Sequence, residues 1–429
     1  MSGNEPYEVI IVGGGFAGVA CAKELADHNV RTVLIDKHNY HQFQPLLYQV
    51  ATAQLGVKDI ARSLRAIFRH DDTVDIKTGK VESIDVEAKS VTTIDGVTFS
   101  GDILVIAGGA QPNFFNTPGA AEHAFPLYSV DDADRMRSHI LGAFDATDRN
   151  ADYIEKGGVN FVIVGGGATG VETAGALSEF INHVMPHFYP GDLADAAKVY
   201  LVDRGHVVLN GFSDRAHAYA RKRLEDDGVE LRLGRGVQEV EVGRVVLDDG
   251  SEIATRTVIW AGGEMAFSAL DGSGLPQGRG GRVDVTPELA VRGVDGVYVV
   301  GDAANITGHD GKILPQLGSV AQQSGACAGA NIVADLAGTP RKAFHYRDKG
   351  IMAMIGKNAA VAEMGAHRHE VDGPIAFGAW LGVHAMLLSG TRRKVDAFIS
   401  WGWDYFSVKR PNILVDRPEA YVIDWSDDE

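Results

Sequence analysis

The stretch EVIIVGGGFAGVACAKELADHNVRTVLID (residues 8–36) decides the fold. Glu8 to Val12 is a short, β-branched, apolar run of the kind that makes a buried strand. Gly13, Gly15 and Gly18 follow in a G-x-G-x-x-G turn. Val19, Ala22, Leu25 and Ala26 then recur at helical spacing, and a second apolar run ends on Asp36, 18 residues past Gly18. Strand, glycine turn, helix, strand and acid, in that order, make one half of a dinucleotide-binding fold. Gly13 makes the tight turn, Gly15 lets the backbone approach a pyrophosphate, and Gly18 lets helix and strand pack closely. The helix N-terminus attracts the phosphate charge. Asp36 stands where a carboxylate accepts from a ribose hydroxyl.

The pattern recurs. VNFVIV (residues 159–164) is a strand, Gly165, Gly167 and Gly170 repeat the turn, and VETAGALSEF opens a helix. KVYLVD (residues 198–203) ends on Asp203. The inserted HVMPHFYPGDL (residues 183–193) reads as an extension of the helix and its return loop. Two such units mean two bound dinucleotides, or one site and a degenerate copy, and the copy is disfavoured because no glycine is lost. Asp203 favours a free ribose 2′-hydroxyl, hence NADH over NADPH, while the adjacent Arg204 is a residue type that serves a 2′-phosphate. Glu172 comes two residues after the last glycine. It is either a first-turn carboxylate placed by the helix dipole or a carboxylate facing the nicotinamide.

Between the two turns, FSGDILVIAGGAQPN (residues 99–113) carries a buried strand over 103–107 into a Gly-rich turn. TVIWAGG (residues 257–263) matches it in the second unit and ends on Gly262 and Gly263. VDGVYVVGDAAN (residues 294–305) is a further strand closing on Gly301 and Asp302. Asp302 lies beyond a strand's carboxyl end, where Rossmann ligands bind, and there it is either a ribityl acceptor or a turn aspartate. A helix rich in Ala, Gly and Gln follows over 314–336. The fold class is therefore α/β, with two Rossmann-like dinucleotide-binding domains and a C-terminal amphipathic helical segment. The expected division is 1–117 with 287–345 for the first, discontinuous domain, 118–286 for the second and 346–429 for the C-terminal region.

Composition agrees. A chain of 429 residues suits two or three domains, and 52 glycines are concentrated in a few short runs. The formal net charge of -17 speaks against nucleic acid as a partner, because phosphate binding needs a basic surface. Cys21 and Cys327 are the only cysteines and form no CxxC pair, so no redox dithiol and no metal cluster is expected. No signal peptide is visible, and the longest apolar run, 375–390, is shorter than the ~20 residues of a spanning helix.

Beyond these generic parts, LIDKHNYHQFQPLLYQVAT (34–52), YVVGDAAN (298–305), YRDKGIMAMIGKNAAVAE (346–363) and WLGVHAMLLSGTRRKVDAFISWGWDYF (380–406) resemble the type II NADH:quinone oxidoreductases. The resemblance covers almost the whole chain. It implies FAD on Gly13, Gly15, Gly18, Asp36 and Asp302, and NADH on Gly165, Gly167, Gly170 and Glu172, the last close to both rings. It also implies a quinone helix with an Ala-Gln-x-x-x-Gln pattern, matched here by LGSVAQQSG (317–325). Gln323 fits the second glutamine, but Ser319 replaces the first and Gly318 its alanine, with Gln316 and Gln322 as neighbouring substitutes.

On a helical wheel, Val395, Phe398, Ile399, Trp403, Tyr405 and Phe406 gather on one face, and Asp396, Ser400 and Asp404 on the other. Arg392, Arg393 and Lys394 precede this helix, and Lys409 and Arg410 follow it. The pattern suits a helix lying in a bilayer interface, and equally a helix packed on the core or at a homodimer interface. The resemblance favours the lipid surface, with 380–388 as a second helix packed beside it. The expected activity is oxidation of NADH through FAD with electrons passed to a membrane quinone. The enzyme would sit peripherally on the cytoplasmic face of the cell membrane and pump no protons. A soluble FAD-dependent reductase of a ferredoxin-like acceptor and a non-enzymatic NADH-sensing protein are the alternatives.

Overall fold

The computed structural model describes residues 7–365, 367–388, 390–407, 410 and 412–415. Contacts divide the chain into two compact units, each drawn from three separate segments.

The first unit comprises Met1–Gln42, Ala61–Gln111 and Glu264–Arg347. Its sheet runs in the order Val74–Thr78, Thr32–Asp36, Tyr7–Val12, Thr98–Ile106, with Val297–Val299 also paired to Thr98–Ile106. All these pairs are parallel, as strands joined by crossover helices must be. An antiparallel meander of Val81–Asp85 and Ser90–Thr93 extends the far side. Val9, Ile10, Ile11, Val33, Leu34 and Ile35 are fully buried, which explains why these strands read as continuous apolar runs rather than alternating ones. The helices Phe16–Asp27 and Gly318–Leu336 pack on each other through small residues. A side chain on Gly325 would strike the Ala17 carbonyl, and one on Gly329 would meet the Cys21 carbonyl at 3.0 Å. The second of these helices begins at Gly318, four residues later than its composition suggests.

The second unit comprises Phe43–Ile60, Pro112–Gly263 and Asp348–Glu429. Its parallel sheet runs Ala124–Pro126, Thr257–Trp260, Asn160–Val164, Lys198–Asp203, Val229–Leu233. Two three-stranded antiparallel sheets accompany it. One is Val237–Val240, Arg244–Leu247, Glu252–Ala254, and the other is Gly350–Gly356, Ala359–Met364, His369–Asp372. The helix Ala168–Glu179 does extend past its expected end, through a wider π turn at Phe180–Val184 and a tight turn at Met185–His187. The remainder of the insert forms a separate short helix, Gly191–Ala196. The C-terminal helices are Gly373–Leu387 and Thr391–Phe406. The first starts earlier than expected because Pro374 occupies its first turn, where a missing N–H costs nothing.

The unit boundaries fall at 42/43, 60/61, 111/112, 263/264 and 347/348, where the sequence suggests 117/118, 286/287 and 345/346, so Phe43–Ile60, expected in the first domain, clusters with the second unit. The largest difference is the segment from Glu264 to Thr286. It buries Ala266, Ala269, Leu270, Leu275 and Val283 in the first unit's core. From Asp348 onward the described residues of the expected C-terminal region cluster with the second unit.

Candidate active site

Both glycine turns are built alike. Side chains on Gly13 and Gly165 would strike the carbonyls of Ala107 and Ala261, and both residues hold positive φ, +104° and +115°. Side chains on Gly18 and Gly170 would collide with the carbonyls of Gly13 and Gly165 in the same turn. Gly15 and Gly167, by contrast, face open space. The first and third glycines therefore serve the fold, and the second leaves room for a ligand. The helices that follow, Phe16–Asp27 and Ala168–Glu179, start without a side-chain cap and without an acid in the first turn. Their N–H groups are left for a phosphate, the geometry a pyrophosphate needs.

The two acids behave alike as well. Asp36 accepts from the amides of Gly14 at 2.6 Å and His38 at 2.7 Å, and Asp203 from those of Gly166 and Gly205, both at 2.6 Å. Each carboxylate is thus pulled onto its glycine turn, with acceptor capacity to spare for a ribose. Asp203, Arg204, Arg235, Gly165 and Gly262 line a cleft of about 180 Å³ in the second unit. In the first unit, Asp302 follows the strand Val297–Val299, and its Oδ1 is buried with no hydrogen-bond partner among the described residues. Burial pushes its carboxyl up to about 6 against the pull of Arg282. An unsatisfied buried acceptor of this kind fits a ligand hydroxyl.

Glu172 lies in the second turn of its helix and is buried, so it is not a first-turn dipole carboxylate. Burial pushes its carboxyl up to about 8, and the Met354 amide, donating at 3.1 Å, and the Trp380 indole act weakly against this. At neutral pH it holds its proton. Trp380 is fully buried and stacks on His384, with ring centroids 3.8 Å apart.

Beside this cluster, still within the second unit, is a cavity of about 360 Å³. Tyr48, Phe377, Leu381, Phe398, Trp401 and Tyr405 supply apolar wall, and Gln49, Gln54 and Glu179 polar points. The sequence alone assigns Tyr48, Gln49 and Trp401 no role of their own. QPLLYQVAT carries glutamine and tyrosine in an otherwise apolar run, and that was the available signal.

Ser319 and Gln323 occupy the first unit. Ser319 Oγ lies 2.8 Å from Tyr346 Oη. The Gln323 amide is engaged at both ends by the Arg347 backbone, accepting from its N–H at 3.0 Å and donating to its carbonyl at 3.2 Å. Cys21 is buried and Cys327 half-buried, and both are free thiols.

The C-terminal helix carries an exposed apolar face. Phe406 is 88 % exposed, Ile399 64 %, Trp403 59 % and Phe398 53 %. Ile375 and Met386 of the preceding helix are exposed too. Among the described residues no helix is long and apolar enough to cross a membrane. Arg410 departs from its expected place as a lipid-facing base. It is buried, donates to the Thr52 carbonyl at 2.6 Å and to Glu179 at 3.2 Å, and covers the Phe180 ring. An arginine donates in several directions at once, and here a carbonyl, a carboxylate and a ring take up that capacity. Lys394 donates to the Met386 carbonyl at 2.7 Å. Lys409 and the side chains of Arg392, Arg393 and Asp404 lie outside the described residues.

Twin glycine cradles, each with a carboxylate held on its turn, are the build of a two-dinucleotide oxidoreductase fold. Residues 7–325 match the model of the pyridine nucleotide-disulphide oxidoreductase family. The chain is 34 % identical to the type II NADH:quinone oxidoreductase NdhA of Mycobacterium tuberculosis, over 98 % of this chain and 93 % of that protein. It is 32 % identical to Ndh of the same organism, over 97 % and 92 %. The structure of NDH2 from Plasmodium falciparum in complex with NADH has the same fold, with a TM-score of 0.87 at 19 % identity, covering 96 % of this chain and 100 % of that one. The chain belongs to the pyridine nucleotide-disulphide oxidoreductase family and, within it, to the type II NADH:quinone oxidoreductases.

Proposed function

We infer that this protein oxidises NADH through FAD and delivers the electrons to a quinone, without pumping protons. The observation that carries the reading is the pair of matched cradles, each with a middle glycine facing open space and an acid beside it. FAD held there would supply the two-electron hydride chemistry that links NADH to the quinone. Gly13, Gly15, Gly18, Asp36 and Asp302 hold FAD in the first unit. Gly165, Gly167, Gly170, Asp203 and Gly262 hold NADH in the second, and the Asp203 charge disfavours a 2′-phosphate. The soluble ferredoxin-type alternative loses its ground, because the nearly full-length relatives quoted above carry quinone reductase names.

The cavity lined by Tyr48, Gln49, Phe377 and Trp401 receives the quinone: it is apolar, with few polar points to orient a ring. Glu172, protonated at neutral pH, supplies one of the two protons the quinone takes up. Ser319 and Gln323 act through their partners, holding Tyr346 and Arg347 against the helix Gly318–Leu336. The exposed face of Phe398, Ile399, Trp403 and Phe406 seats the enzyme on a lipid surface, on the cytoplasmic side of the cell membrane. The test is steady-state NADH oxidation with ubiquinone and menaquinone analogues, with and without lipid vesicles. Heat should release FAD from the purified protein. FMN in its place, or no quinone-dependent turnover after reconstitution with FAD, overturns the reading.

A further inference from the structure

Three buried side chains of the second unit form a directed chain of hydrogen bonds along the cavity wall. Trp401 Nε1 donates to Gln49 Oε1 at 2.8 Å, and Gln49 Nε2 donates to Tyr48 Oη at 3.2 Å. All three are buried and all three line the cavity. The direction follows from their chemistry. An indole N–H only donates, so it fixes the amide with its oxygen toward Trp401 and its nitrogen toward Tyr48. A phenol oxygen that accepts there must send its own hydrogen elsewhere. No described residue accepts it. The phenol also stays un-ionised at working pH, because burial first and the nearby Glu172 second hold it well above its ordinary value.

We propose that Tyr48 donates a hydrogen bond to a carbonyl oxygen of the quinone in this cavity, and that Gln49 and Trp401 are positioning residues that aim it. The proposal rests on the cavity being the quinone site. It also ties that site to the lipid-facing helix. Trp401 sits on the buried side of Thr391–Phe406, three residues from the exposed Phe398 and two from the exposed Trp403. Seating that helix therefore sets the direction of the donor.

The test uses the FAD-loaded full chain and a one-isoprenoid ubiquinone analogue, read by quinone KM and by calorimetric Kd. Tyr48→Phe removes the hydroxyl and keeps the ring. One neutral hydrogen bond is worth about a 3- to 10-fold rise in KM and Kd, with a smaller change in kcat. Trp401→Phe should raise both constants in the same direction, since the freed amide can flip. Made in the Tyr48→Phe background, Trp401→Phe should have no further effect, whereas a merely structural role for Trp401 would add its full cost. Flavin content and melting temperature report folding throughout. Gly402→Leu separates this proposal from the cavity reading, because Gly402 lines the cavity and a side chain there meets open space. If Gly402→Leu leaves quinone Kd unchanged, the cavity is not the quinone site. If Gly402→Leu blocks binding while Tyr48→Phe leaves Kd and KM as they were, the cavity reading stands and the Tyr48 donor falls.

Discussion

Two residues that a motif search weighs equally do different work here. Gly15 faces open space, whereas a side chain on Gly18 meets the Gly13 carbonyl. Gly18→Ala should therefore destabilise the first unit by about 1–3 kcal/mol or prevent folding. Gly15→Ala should keep the melting temperature of the flavin-free protein while weakening FAD retention, because its methyl fills the nucleotide's space. Equal losses of stability would refute the distinction. Glu172 yields a second prediction at this scale. Its folded carboxyl titrates near 8 against an ordinary 4.5, so the folded protein keeps a proton that the unfolded chain gives up. Below about 4.5 both states are protonated and nothing is lost. From there to about 8 stability declines as pH rises. Glu172→Gln should remove that decline, slow quinone reduction, and flatten the fall in rate as pH rises through about 8. A rate profile that keeps its shape in the variant would assign the titration to another group. The glycines and acids were legible in sequence because their spacing is local. Glu172's burial was not, because the groups that cover it, Met354 and Trp380, lie about two hundred residues further along the chain.

At the scale of the element, the helix Thr391–Phe406 is the clearest case of a pattern read well and surroundings read poorly. The apolar face was visible in the period of its residues, and it is exposed. The opposite side was less visible. Trp401 and Ala397 are buried, and the helix is fixed through Gln49. Phe398, Trp403 and Phe406 replaced together by Ser should sharply reduce flotation with anionic vesicles and raise KM for long-tailed quinones. Turnover with ferricyanide should persist. If the triple variant floats normally, or if light scattering shows the parent to be a dimer that the triple variant dissociates, the face joins protein to protein instead. Arg410 separates two kinds of basic residue. Counted as lipid-facing, it would contribute about 1 kcal/mol of attraction to an anionic leaflet. Buried on Glu179 and Thr52, it contributes to the fold. Arg410→Gln should lower stability by about 3–5 kcal/mol, since it leaves a carboxylate and a carbonyl without their partner. Loss of vesicle binding at unchanged melting temperature would contradict this placement.

For the whole molecule, charge and architecture pull in different directions. A net charge of -17 repels an anionic leaflet, yet screening over about 8 Å leaves the local composition of the docking helix decisive. Vesicle binding should therefore tighten, not weaken, when ionic strength rises from low values, provided the apolar face supplies most of the attraction. Binding that weakens steeply with salt would identify the basic residues flanking that helix as the main anchor. The alternation of strands, glycine turns and helices made two nucleotide folds legible from the sequence. The partition of the chain between them was less so. The segment from Glu264 to Thr286 has no glycine motif to mark its allegiance, and only its buried Ala266, Leu270 and Val283 show it.

The hydrogen bonds from Trp401 to Gln49 and from Arg410 to Thr52 span 352 and 358 residues of chain. On the ribosome, the segment 43–60 emerges about 350 residues before its partners exist. Contacts of such sequence separation are slow to form, and the surfaces they cover stay exposed in the interval. The aromatic and glutamine side chains that later line the cavity spend synthesis uncovered. The nascent protein should therefore lean on chaperones until the helix Thr391–Phe406 arrives, and a stalled chain lacking that helix should be a protease substrate rather than a half-working enzyme.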